Sequence, residues 1–391
     1  MAELKKKIVG KAKLRNKILA ALKNYGFKIN PHLRPAGYSK NTLRRMQRKA
    51  KIEQIALHSN FLRQHFNLVR SYNRDGKDII PEQIELELRE VQPESFEEII
   101  FRWWNFVWWS IPYQHPYGRQ LRFLLWDKKH DCPFGLISLQ SPILKMSVRD
   151  KALNLPNSEL DLWVNKSMHA QRVGALPPYN ELLGGKMVAL ALTANEVREA
   201  YKNRYANYIS IIKKQTLKPE LLFITTTSAF GKSSLYNRLK YNGEIVADCL
   251  GYTQGTGSFH IPEKLYEELL IFLEREGIDI ARGYGNGPSR KLRLLSLGLS
   301  RLGLPSFECH GIKREFYLFP LAKNLRNVIH NGKRAISFNR PFEALLTYWK
   351  KRWALPRADR MPDWNNFSST KFFKKAKRTI NEASKYHGQK S

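Results

Sequence analysis

Residues 161–205, DLWVNKSMHAQRVGALPPYNELLGGKMVALALTANEVREAYKNRY, decide the fold together with 219–244, PELLFITTTSAFGKSSLYNRLKYNGE, and 251–273, GYTQGTGSFHIPEKLYEELLIFL. They alternate strand, loop, helix, strand, loop, helix, strand. Apolar residues at helical spacing predict a helix over 184–205 that begins near Gly184-Gly185-Lys186. The β-branched run Leu221 to Thr226 predicts a buried strand, and Ser233 to Leu239 a short helix. Such alternation calls for an α/β class fold built on a mixed sheet. LPPYN, Leu176 to Asn180, reads as a rigid turn, because consecutive prolines fix their own φ and restrict the residue before them. Gly255 and Gly257 of GTGSFH suggest positive φ or a close backbone approach.

Upstream, FRWWNFVWW carries Trp103, Trp104, Trp108 and Trp109 in an apolar run, which favours core packing over stacking on nucleobases. Two apolar strands follow, 120–127 and 134–140, joined by the turn-like DKKHDCP. Near residue 79 the composition turns acidic between Pro81 and Pro93, which marks a boundary. The chain therefore divides into a basic helical N-terminal arm (1–78), an α/β core (79–275), a C-terminal α/β extension with a basic aromatic helix (276–360) and a solvated basic tail (361–391).

Charge sorts along the same divisions. The 391 residues hold 67 Lys+Arg against 34 Asp+Glu, a formal +33. Residues 1–50 contribute +14 and residues 321–391 contribute +13, so the 270 residues between hold only +6. Basic segments attract phosphates and release counterions on binding, which points to nucleic acid, DNA before RNA; the bland alternative is a basic surface that only solubilises. The candidate contacts are Lys5, Lys6 and Lys7; Arg44, Arg45 and Arg48 on a helix capped by Ser39 or Asn41; Arg290, Lys291 and Arg293 after a Gly/Pro hinge; and Lys350, Lys351 and Arg352 among Tyr348, Trp349 and Trp353.

Cys132, Cys249 and Cys309 are odd in number and lack metal-ribbon spacing, which fits a reducing cytoplasm. No run approaches the roughly 18 apolar residues of a membrane span, and no secretory apolar segment follows the first lysines. No metal site is expected, since neither an HExxH helix nor a deaminase pattern occurs. Phe230-Gly231-Lys232-Ser233 fails as a nucleotide-hydrolysing loop, because the glycine needed five residues earlier is Thr226. Both Gly-Lys loops nevertheless stand where helices are expected to start, a place that attracts anions. His260 is either a general base, a phosphate contact or a histidine satisfied within the fold, and Tyr236 either a proton donor or a buried ring.

In the order LPPYNELLGGKMVALALTANEV, TTTSAFGKSSLYNRLKYNGE, GYTQGTGSFH, the sequence resembles the DruA family of the Druantia anti-phage defence systems over roughly residues 95–355. The blocks also resemble the GNAT-type acyltransferase fold that uses acetyl-coenzyme A, with NELLGGK in place of that fold's usual Arg/Gln-x-x-Gly-x-Gly/Ala signature. The resemblance implies a defence component that engages nucleic acid beside other defence proteins, on a GNAT-like core. If the core is a transferase, the resemblance puts an acetyl-coenzyme A-type donor at Gly184, Gly185, Lys186, Lys232 and Ser233, with Tyr236 as proton donor and His260 as base. The alternatives are a non-catalytic DNA-binding protein of a mobile element and an RNA-binding protein.

Overall fold

The structure is a computed structural model that describes residues 10–29, 32–112, 116–209, 216, 218–281 and 290–388. Its centre is a sheet of seven strands, β1 (Leu86–Glu90), β2 (Gln120–Asp127), β3 (Cys132–Gln140), β4 (Ser167–Ala175), β5 (Phe223–Thr227), β6 (Asp248–Tyr252) and β7 (Glu315–Pro320). They lie in the order β6-β7-β5-β4-β3-β2-β1. Every neighbouring pair is antiparallel except β4 and β5. The fold is thus mixed α/β, as the alternation of elements requires.

Among the described residues the helices of eight or more residues are α1 (Lys11–Tyr25), α2 (Lys40–Leu57), α3 (Phe96–Val107), α4 (Gly184–Ala191), α5 (Asn195–Arg204), α6 (Glu263–Arg275), α7 (Arg290–Arg301), α8 (Phe342–Trp349) and α9 (Ser369–Gly388). Parallel strands cannot be joined by a hairpin, and α4 with α5 forms the crossover from β4 to β5. On one side of the sheet, α4, α5 and α8 bury Phe123, Leu125, Met168, Ala170, Ile224 and Tyr317. On the other, α3 and α9 cover Leu124, Trp126 and Leu136. Burial on both faces explains why β2 and β3 read as unbroken apolar runs. Asp127 fixes the turn between them: its Oδ1 accepts from the Glu85 and Lys129 amides and its Oδ2 from Tyr179 Oη at 2.7 Å.

Three expectations give way to the structure. The helix predicted over 184–205 is two helices, because Thr193 folds its Oγ1 onto the Leu190 carbonyl at 2.8 Å and the chain turns before α5. Ser233 to Leu239 forms hydrogen-bonded turns instead of a helix. Ser233 Oγ accepts from the Leu235 and Tyr236 amides, and Arg238 at φ 61° enters the left-handed region and stops propagation.

The third concerns the ends. The described part of the C-terminal segment does not form a solvated tail: Phe373 of α9 stacks on Trp103 and Phe372 on Trp104, each at 5.2 Å, and α9 packs along α2. Nor do the described residues of the N-terminal arm stand apart, since Leu14, Ile18, Leu22, Leu43 and Met46 share a core with Leu269 and Leu273 of α6 and Leu294, Leu295 and Leu299 of α7. Apolar faces on these basic helices bury against the body, so the two basic ends lie against each other. Ser39 caps α2, its Oγ accepting from the Thr42 amide at 3.2 Å. Trp103 and Trp104 are core residues, as their spacing suggests.

Candidate nucleic-acid interface

A cleft of ≈ 2830 Å³ opens over β4, β5 and β7 on the α3 side of the sheet. Strand alternation makes its floor. Met168, Ala170 and Ile224 point into the opposite core, so His169, Gln171, Thr225 and Thr227 line the cleft, with Phe316 of β7 beside them. His169 Nδ1 and Thr225 Oγ1 lie 3.0 Å apart across the parallel pair. The His169 ring is stacked on Phe316 with an interplanar angle of 19°. Burial, with Arg149 and Arg314 nearby, pushes the His169 pKa down to about 4, so the ring is neutral at physiological pH.

The walls are cationic. Thirteen Lys and Arg line the cleft against five Asp and Glu. Three of those carboxylates already hold partners: Glu98 with Arg122 at 2.9 Å, Asp150 with Arg149 at 2.6 Å and Glu263 with Lys291 at 2.5 Å. Glu53 accepts from Tyr25 Oη at 3.1 Å and Glu308 from Ser296 Oγ at 3.0 Å, and ten other cations line the cleft around them. At the rim, where α2, α3 and α9 meet, Lys51 donates to the Val107 carbonyl at 2.6 Å. Burial, then Arg48, Arg172 and Lys375, lower the Lys51 pKa to about 8. A wall of this kind attracts a polyanion.

Of the residues singled out in the sequence, Arg44, Lys232, Ser233, Tyr236, Lys291 and Arg293 line this cleft. Gly184, Gly185, Lys186 and His260 do not. Arg45, Arg48, Arg290, Lys350, Lys351 and Arg352 also lie off it. Arg290 is turned onto the Ile280 carbonyl at 2.6 Å, and Lys350 onto the Glu82 and Ile84 carbonyls at 2.5 and 3.2 Å. Lys5, Lys6, Lys7 and the Gly/Pro hinge before Arg290 lie outside the described residues.

The two Gly-Lys loops are close, with Lys186 Nζ 3.5 Å from the Leu235 carbonyl and over the Trp353 ring. Three of their amides are already engaged. Gly184 N donates to the Tyr179 carbonyl and Lys186 N to that of Leu183, both at 2.9 Å. Ser233 N donates to the buried Glu315 carboxylate at 2.8 Å. A Cβ at Gly184 would come within 2.6 Å of the Tyr179 carbonyl oxygen, so this loop closes on itself with no room for a ligand. A carboxylate occupies the place where the GKS loop would take a phosphate. The donor set does not fit the pyrophosphate of a coenzyme A-type donor. Among the described residues no three His, Cys, Asp or Glu converge as a metal-binding group.

Residues 38–331 match the family described as "Druantia protein DruA". A Druantia protein DruA of Escherichia coli (strain UMEA 4076-1) is 31% identical over 369 residues, which is 93% of this chain and 91% of that protein. The chain belongs to the DruA family. No solved structure matches it. The residues matched to the DruA family run from α2 to beyond β7 and so include the whole floor of the cleft; the basic aromatic segment around Trp349 and the helix α9 lie outside them.

Sequence reading missed Arg314, Arg172, Lys145 and Lys375, which come to the cleft from four separate segments. A signal for the floor was present: in SMHAQRV the polar His169 and Gln171 alternate with the apolar Met168 and Ala170.

Tyr236 and His260 occupy places set by packing. Tyr236 is buried against Tyr317 and Phe319, and burial pushes its hydroxyl up to about 12. His260 is fully buried, its Nε2 2.8 Å from the Phe307 carbonyl and its ring against Phe27 and Phe259. Gly255, at φ 78°, lets the GTGSFH loop close on Gly311 and Ile312. Burial lowers the His260 pKa to about 4, whereas in the unfolded chain it titrates at about 6.5. The unfolded state therefore binds more protons between those values, so the contribution of His260 is intact above about pH 6.5 and is lost as pH falls toward 4. Thermal unfolding of the wild type and of His260→Gln between pH 7 and 4.5 is expected to show a shallower fall in the variant. Equal slopes would remove the buried neutral histidine from the account.

Proposed function

We propose that this DruA-family chain is a component of a Druantia anti-phage defence system that binds DNA in the cleft over β4, β5 and β7, beside other proteins of that system. The observation that carries the reading is the lining of the cleft, where thirteen cations face five carboxylates around a polar sheet floor. The basic ends support it: α2 brings Lys40 and Arg44 to the cleft and α9 brings Lys375, so segments more than 300 residues apart in the chain build one positive surface. An acyltransferase activity is outside the proposal, because the loops such chemistry would need are bonded to the chain itself. No helix among the described residues is long and apolar enough to cross a membrane.

The test is a titration of the full chain against labelled DNA and structured RNA of equal length at 50 and 200 mM salt. Neutralising six or more phosphates weakens binding on the order of 1000-fold between those salt concentrations, and the proposal expects a fall of that kind for DNA. Weak binding to every nucleic acid at 50 mM salt would overturn it, and tighter binding to structured RNA at both salts would overturn the assignment to DNA.

A further inference from the structure

The cleft floor carries more than positive charge. Arg314 lies just before β7 and lines the floor next to His169. Burial lowers its guanidinium pKa, yet among the described residues that guanidinium has neither a carboxylate nor a hydrogen-bond acceptor. Its side chain is still partly exposed where it lines the cleft, so an anionic ligand can reach it and supply the missing partner. The neighbouring Arg149 differs, since Asp150 and the carbonyls of Ile143 and Leu144 already satisfy it.

Around Arg314 the floor offers edge contacts and ring faces. His169 and Thr227 present polar groups on adjacent strands, with the buried Thr225 holding His169 Nδ1 at 3.0 Å; Phe316 closes one side, and Trp109 and Phe259 line the walls. Polar groups set between aromatic rings suit a planar heterocycle attached to a phosphate. A base in a duplex cannot reach such a floor, because its edge is paired and its faces are stacked; an unpaired base can.

We propose that the cleft binds DNA as a single strand and seats one unpaired nucleotide on the floor, its phosphate on Arg314 and its base edge on His169 and Thr227. This rests on the DNA-binding reading and adds the strandedness and the seat. The seat discriminates bases from bare backbone, whereas the rest of the cationic wall holds phosphates of any sequence.

The experiment compares three probes of equal length by fluorescence anisotropy at 100 mM salt: a single DNA strand, its duplex, and the same strand with its central nucleotides replaced by abasic sites. The wild type is expected to bind the intact strand at least about 10-fold more tightly than either of the others, in line with one or two seated bases. Arg314→Gln should weaken the intact strand by about 10-fold or more and Arg314→Lys by less. The double variant His169→Leu/Thr227→Val should bind intact and abasic strands alike while keeping the wild-type affinity for the abasic one. Equal binding of intact and abasic strands by the wild type, or tighter binding of the duplex, overturns the seat and leaves DNA binding standing. Failure to bind all three overturns both. The wild-type comparison decides the matter even if a variant does not fold.

Discussion

Reversing Arg44, Lys145 and Lys232 to glutamate in one protein is expected to lower its affinity for DNA by at least about 100-fold at 100 mM salt, with little change in thermal stability. All three side chains are exposed and line the cleft from three different segments. None takes part in an ion pair among the described residues, so their loss leaves no buried charge behind. Each phosphate contact removed lowers the slope of log K against log salt by about 0.9, so three lost contacts lower it by roughly 2 to 3. The control reverses Lys202, Lys240 and Lys333, exposed residues away from the cleft. Both variants change net charge equally. If affinity depends on overall charge alone they fall together; if the cleft is the interface, the control stays near wild type.

The second large effect is on stability. Trp103→Ala is expected to cost about 3–5 kcal/mol, read from denaturant midpoints. The indole is fully buried, its Nε1 donates to the Leu62 carbonyl at 3.1 Å, and its face lies on Phe373 at 5.2 Å. Truncation leaves a cavity and an unmatched carbonyl together. Phe373→Ala carries a comparable penalty for the same reason, and the double variant should cost less than the two singles combined, because the rings share one contact. A basic tail in solvent would instead give Phe373→Ala an effect within about 0.5 kcal/mol. The pair thus decides whether the C-terminal segment belongs to the core.

What the sequence made legible was governed by local periodicity. The β2–β3 hairpin, the strand at 223–227, the cap at Ser39 and the burial of Trp103 and Trp104 follow from patterns a few residues long. The break at Thr193 did not, because a side chain bonding back to the chain competes with a strong helical pattern. Neither did the fate of the GKS loop, whose Ser233 amide is taken by Glu315, 82 residues away in the chain. Charge sums located the basic ends correctly but treated them as arms; Leu14, Leu43 and Phe373 show that the apolar faces of those same helices hold them to the body. The cleft itself needs α2, β4, β5, β7 and α9 at one place, and no single stretch announces it.

That convergence is the central claim, and photocrosslinking tests it most directly. A DNA strand carrying photoreactive bases is bound to the full chain, irradiated, and the adducts are mapped by mass spectrometry. Adducts at Trp109, Phe259 and Phe316, abolished by the Arg44/Lys145/Lys232 reversal, are the predicted result. Adducts confined to the surface around Lys350–Arg352 or α5, with none in the cleft, would contradict it.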